Sequence, residues 1–187
     1  MEMVASQVNI NNALSIGGWM SVRELTWLAT NAREREYIVE FGSFLGRSTR
    51  ALADNIKKNG VIWAVDPWNG DYFCENGSKL ETVNTFVMPD FIRNLQDHID
   101  NKTVIPRRLF SYSFSLPFKV DMVFIDGDHR YETVIKDINK AFSLVKKGGI
   151  ISGHDYNHPT WPGVKRAVDE LIGPIELEEQ IWWTIKS

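Results

Sequence analysis

Four short stretches of this chain concentrate side chains that can move protons, hold a cation or let a ligand approach the backbone. They are Glu40-Phe41-Gly42-Ser43-Phe44-Leu45-Gly46-Arg47-Ser48, the single Asp66, Asp126-Gly127-Asp128-His129 and Gly153-His154-Asp155-Tyr156. Each directly follows a short apolar run. Together they hold five carboxylates (Glu40, Asp66, Asp126, Asp128, Asp155) and two imidazoles (His129, His154). Carboxylates so grouped suit a cationic ligand or a divalent ion, and an imidazole near pKa 6.5 exchanges a proton at neutral pH. Gly42 and Gly46 let the backbone come close to a ligand. A helix opening near Gly46 offers free N–H groups to a carboxylate.

The spacing narrows the chemistry. A dinucleotide fingerprint is Gly-x-Gly-x-x-Gly, and a P-loop ends in a lysine. Here the pattern is Gly42-x-x-x-Gly46 with no such lysine, and the neighbouring acids would repel a diphosphate. S-Adenosylmethionine fits better: its sulfonium and ammonium meet the acids, its carboxylate meets the helix start, and Asp66 accepts its ribose hydroxyls. Asp66 lies about twenty residues beyond the loop, as the ribose acid of a βαβ unit should. Taken alone, the glycine pair is equally a tight strand–helix turn. Two competing functions remain: an NAD-dependent oxidoreductase on the same fold, which wants the third glycine, and a non-catalytic S-adenosylmethionine-binding module.

The elements that must position these residues alternate in type. Ser21-x-x-Glu24 is a capping box before a helix to about Arg35. Tyr37–Phe41 and Val61–Val65 read as buried strands, with a helix from Gly46 to about Lys58 between them. Trp68 to Gly77 reads as a loop. Ser78-x-x-Glu81 offers a second capping box, and Pro89 should break or kink the helix it opens. Strands follow at Thr103–Arg107, Asp121–Ile125 and Ile150–Ser152. Tyr131, Val134, Ile135, Ile138, Ala141, Phe142 and Val145 form a helical stripe, and Pro162 opens a last helix. Ile175–Glu179 and Ile181–Ile185 read as a closing antiparallel pair. Strand–helix alternation with continuous apolar strands predicts a doubly wound α/β fold with a mostly parallel sheet and helices on both faces. Its ligands belong at the carboxyl ends of the strands.

Composition sets the bounds. The 187 residues suit a single domain over 1–187, with an N-terminal helical segment at 1–36 and a cofactor-binding core at 37–187. A formal charge of −3 argues against nucleic acid as partner. Nothing reads as a membrane span or secretory signal, so a cytoplasmic protein is expected. One cysteine, Cys74, excludes a disulfide framework. Aromatic residues reach 12%, and Trp68, Tyr72, Phe73, Tyr156 and Trp161 fall in segments that would frame a small-molecule acceptor. A homo-oligomer is compatible with all of this.

The residues also carry a family resemblance. Glu40 to Thr49 looks like the first motif of class I S-adenosylmethionine-dependent methyltransferases, and Val65-Asp66-Pro67-Trp68 resembles their second. Asp121 to Glu132, with Gly148 to Tyr156, is similar to a branch of small bacterial O-methyltransferases. That branch is related to the enzymes of macrolide and cephamycin tailoring and more distantly to catechol O-methyltransferase. The likeness runs from about Tyr37 to Leu171. It implies a Rossmann-like seven-stranded sheet with an antiparallel last strand, and methyl transfer to a hydroxyl of a sugar or natural product.

It also implies roles. Glu40, Gly42, Ser43, Gly46, Ser48, Asp66, Trp68 and Asp126 would bind the cofactor. Asp126, His154 and Asp155 match metal ligands of the catechol-type relatives, except that those relatives place an acid where His154 stands. Two carboxylates and an imidazole shift the ion from magnesium towards manganese, iron or zinc. The alternative is no metal, with Asp155 capping a turn and His154 touching the acceptor. His129 matches the catalytic base, assisted by Asp126, or else is a helix-start histidine bonded to backbone. Asp128 either orients His129 or complements the helix at Tyr131. Trp68 either stacks on adenine or packs on the sheet edge.

Overall fold

A computed structural model describes residues 8–69, 71–73, 79–82 and 87–187. Helices α1 (Asn11–Ser15) and α2 (Val22–Ala32) precede strand β1 (Tyr37–Phe41), and α3 (Arg47–Ala53) leads to β2 (Val61–Val65). A two-stranded hairpin follows, β3 (Asp71–Phe73) with β4 (Lys79–Thr82), then α4 (Met88–Asn94), α5 (Gln96–Asp100) and β5 (Val104–Arg107). The chain continues through β6 (Val120–Ile125), α6 (Tyr131–Leu144), β7 (Val145–Gly153), α7 (Pro162–Leu171), β8 (Glu176–Glu178) and β9 (Ile181–Ile185).

Seven strands form one sheet in the order β5-β2-β1-β6-β7-β9-β8. The first five are parallel, β9 runs antiparallel to β7, and β8 pairs antiparallel with β9 at the edge. Strand alternation sorts the core into two layers. Ile38, Ile62, Met122, Phe124 and Ile150 point to the layer covered by α1 to α5. Val39, Phe41, Trp63, Val65, Val123, Ile125 and Ile151 point to the layer of α6 and α7. Doubly wound packing follows from strands that are apolar on both faces.

Several expected boundaries shift. Arg47–Ala53 is half the predicted length, because Asp54 to Gly60 turns back towards β2 and Gly60 N–H closes on the Lys57 carbonyl at 2.7 Å. The expected helix after Ser78 is instead strand β4, whose register is set by β3, so cross-strand pairing overrides a local capping signal. Ser78 and Cys74 lie outside the described residues. Pro89 does not break a helix but stands in the first turn of α4, where its missing N–H costs nothing. Strand β7 begins directly after α6, five residues earlier than the apolar run suggested. The capping box at Ser21 and Glu24 is formed, with Oγ of Ser21 accepting from Glu24 N–H and the Glu24 carboxylate accepting from Ser21 N–H.

Candidate active site

The sheet's hydrogen-bond ladder runs one residue past each parallel strand. Asp66 N–H donates to Arg107 O, Gly42 N–H to Val65 O, Asp126 N–H to Phe41 O and His154 N–H to Ile125 O, at 2.7–3.1 Å. Four of the chemically interesting residues therefore stand side by side at one sheet edge. Strand order reverses between β1 and β6, so the crevice opens between Gly42 and Asp126, where the topology demands it. A cavity of about 650 Å³ occupies this place, of a size that suits a small-molecule site.

Gly42 is required by that close approach. Its φ is +86°, and a Cβ there would overlap the Asp126 carbonyl and come within 2.6 Å of Gly127 Cα. The loop after it is held from two sides. Asp66 Oδ2 accepts from Ser43 N–H and Phe44 N–H, each 2.9 Å, while Oδ1 accepts from Trp68 N–H at 2.6 Å. From behind, Glu40 accepts from the hydroxyls of Ser43 (2.6 Å) and Thr49. Burial pushes the Glu40 carboxyl up to about 7, against the pull of the Ser43, Thr49 and Ser48 hydroxyls. Gly42, Ser43, Ser48, Asp66, Trp68 and Asp126 line the cavity, whereas Glu40 and Gly46, expected among the cofactor contacts, stand behind its wall. Trp68 is buried, its ring 4.8 Å from Phe91 and its indole N–H donating to Phe44 O at 2.8 Å, which is the packing alternative.

Beside the loop, acids and imidazoles converge. His129 Nε2 lies 2.8 Å from Asp155 Oδ2 and 3.7 Å from Asp126 Oδ1, yet makes no hydrogen bond of good geometry. His154 Nδ1 lies 3.3 Å from Asp155 Oδ2 and 3.7 Å from Asp126 Oδ1. Asp155 reaches this position with a left-handed backbone, φ +60°, a strained conformation for a residue with a side chain. Burial opposes charge on each imidazole, but Asp126 and Asp155 overrule it and push His129 up to about 9. Asp126 and Asp155, joined by Glu24, push His154 up to about 11. Burial likewise opposes the Asp155 charge, and the two imidazoles hold its carboxyl well below the usual range. Asp128 does not orient His129. It pairs with Arg130 and accepts from Arg130 N–H at 3.0 Å, at the start of α6. Trp161 stacks on His129 with centroids 4.8 Å apart.

Ligand atoms of Asp126, His154 and Asp155 all lie within 4.8 Å of one another, the only such group among the described residues. These residues fit a divalent ion: two carboxylates and one ring nitrogen converge, a donor set that divalent metals accept.

Three residues in or behind the cavity wall escaped the sequence. Glu24 was visible only as a helix cap, Asp137 only as a polar break in the stripe of α6, and Trp19 only as one of many aromatics. Asp137 is buried, accepts from the Ser111 hydroxyl, and is raised to about 7 by burial, with Asp128 adding to the shift against the Ser111 bond. Trp19, 78% exposed, stacks on Phe44 at the cavity. No local pattern in the chain signals these long-range meetings.

A family model described as "Methyltransferase domain" matches residues 39–156. Uncharacterized protein R132 of Acanthamoeba polyphaga mimivirus is 31% identical over 143 residues, covering 74% of this chain and 60% of that protein. The chain thus spans about 60% of that relative's length. Among solved structures, a SAM-dependent O-methyltransferase of Thermotoga maritima superposes with a TM-score of 0.67 at 13% identity, covering 95% of this chain and 70% of the other. An O-methyltransferase of Bacillus cereus, solved with SAH, gives 0.63 at 17% identity, covering 95% and 87%. TomG of Streptomyces achromogenes, an O-methyltransferase involved in tomaymycin synthesis and solved with SAM, gives 0.62 at 16%, covering 90% and 82%. At these identities the likeness speaks for the fold.

Proposed function

We infer that this chain, which belongs to the family of methyltransferase domains, transfers a methyl group from S-adenosylmethionine to a hydroxyl of a small acceptor. One observation carries the reading: the glycine loop and residues Asp126, His129, His154 and Asp155 line one cavity. Structural neighbours that are O-methyltransferases, two of them solved with SAM or SAH, support it.

S-Adenosylmethionine supplies an electrophilic methyl that needs no activation by the protein. The chain's tasks are therefore to position two ligands and to take one proton. The Gly42 loop, with Ser43 and Ser48, borders the cofactor end. Asp66 holds that loop through the N–H groups of Ser43 and Phe44, accepts a third from Trp68, and has one acceptor position to spare for a ribose hydroxyl. His129, which also lines the cavity, takes the acceptor proton at Nε2. Asp126, His154 and Asp155 would hold a divalent ion, magnesium, manganese or similar, which would supply positive charge to lower the proton affinity of the acceptor hydroxyl. Trp19 and Trp161 frame the acceptor. A cytoplasmic location and a small-molecule partner agree with this chemistry, and no described helix is long and apolar enough to cross a membrane.

Calorimetry tests the cofactor directly: S-adenosylmethionine binds the wild type, and absence of binding overturns the assignment. Release of S-adenosylhomocysteine across a panel of sugars and phenols identifies the acceptor. Chelation and Asp126→Ala each abolish turnover; activity indifferent to both removes the metal.

A further inference from the structure

Glu24 belongs to a helix cap by its place in the chain and to the cation cluster by its place in space. It is 3% exposed, and both of its oxygens are engaged. Oε2 accepts from Ser21 N–H at 2.8 Å, completing the capping box. Oε1 faces His154 Nε2 at 3.0 Å and also accepts from Gln180 N–H at 3.2 Å, so it is fixed by the turn between β8 and β9. His154 is itself 7% exposed, with its other nitrogen towards Asp155 and Asp126. A carboxylate that accepts only, placed against Nε2, requires the proton there. Nδ1 is then the ring nitrogen turned towards the two aspartates, the one whose proton a divalent ion would displace.

We propose that Glu24 is a positioning residue which turns His154 into a nitrogen ligand and thereby gives this site a preference for manganese, iron or zinc over magnesium. The proposal rests on the metal reading above. The donor set agrees with it. Asp126 and Asp155 lie close to one nitrogen of the His154 ring, and a third carboxylate, Glu24, stands one imidazole further out. Two carboxylates would meet the ion directly, and the third donor is a softer ring nitrogen. Magnesium demands oxygen ligands and gives up water reluctantly, whereas imidazole suits the later divalent metals. His129 stays outside the set: the group whose ligand atoms lie within 4.8 Å of one another contains Asp126, His154 and Asp155 only. That leaves it available for the proton.

The test is metal binding by the full chain, read by calorimetry with manganese and magnesium chloride, and by nitrogen hyperfine coupling in the manganese resonance spectrum. Wild type binds manganese at least about tenfold tighter than magnesium and shows imidazole nitrogen coupling. Glu24→Gln weakens manganese binding roughly 10–100-fold, the range for loss of an outer-shell partner, and diminishes the nitrogen coupling. Ser21→Ala removes the other half of the cap and leaves the Glu24–His154 pair in place, so it lowers the melting temperature while keeping manganese affinity. Equal affinity losses in both variants would mean that binding only follows helix integrity, and would overturn the proposal. Unchanged manganese binding in Glu24→Gln, or a wild-type preference for magnesium, overturns it and leaves the metal itself standing. No manganese binding by wild type overturns both.

Discussion

His129 illustrates how strongly neighbours set the chemistry of one side chain. Burial favours the neutral ring, yet Asp126 and Asp155 hold its proton up to about pH 9. A general base works only when neutral, so without a bound cation the active fraction grows as pH rises from 7 towards 9. A divalent ion at those carboxylates offsets their charge and shifts the rate profile to lower pH. Rates measured against pH with and without manganese should show that displacement; coincident profiles would contradict it. His129→Gln should cost roughly 10²–10⁴-fold in turnover, the usual worth of a positioned acid or base, while S-adenosylmethionine binding by calorimetry is unchanged. A variant that keeps its rate would remove His129 from the mechanism. The residues of this cluster were legible in sequence because each follows an apolar run directly. Glu24 and Asp137 were not, since their partners lie at His154 and Ser111, and no spacing rule connects them.

At the scale of elements, the strand–loop–helix unit from β1 to α3 carries the tightest glycine contacts among the described residues. The loop leaves the sheet at Gly42 with φ +86°, pressed against the backbone of Asp126 and Gly127, and re-enters at Gly46 with φ +90°. Gly42→Ala adds a Cβ where backbone already stands and forces a left-handed conformation on a residue with a side chain. It should destabilise the protein by about 2–4 kcal/mol, read as a lower denaturant midpoint. A midpoint unchanged from wild type would show that the two strand ends can part. The strands themselves were visible as apolar runs, and α6 and α7 as periodic stripes. The β3–β4 hairpin was not, because a short polar segment takes its conformation from its partner strand rather than from its own propensities.

For the molecule as a whole, two apolar layers sandwich a sheet that also buries ionisable groups. Burial raises Glu40 and Asp137 to about 7, so between about pH 4 and 7 the folded protein holds protons that the unfolded chain has released. Stability then falls as pH rises through that window. His129 and His154 act in the same direction, since their raised values stabilise the folded state fully below the unfolded pKa and lose that effect towards about 9 and 11. Scanning calorimetry should therefore give a higher melting temperature at pH 5 than at pH 8, and Glu40→Gln should narrow the gap. A melting temperature that rises over this range would refute the assignment. The sequence by itself determined the α/β alternation, the two-sided burial of the strands and the identity of the acids and imidazoles at their ends, because these follow from local periodicity and from what comes next along the chain. Only the tertiary structure decided which of them meet. The strand order sets Asp126 against Gly42, and the docking of α2 sets Glu24 against His154 across 130 positions of chain. Such encounters depend on packing between distant elements, and packing leaves no periodic mark in a sequence.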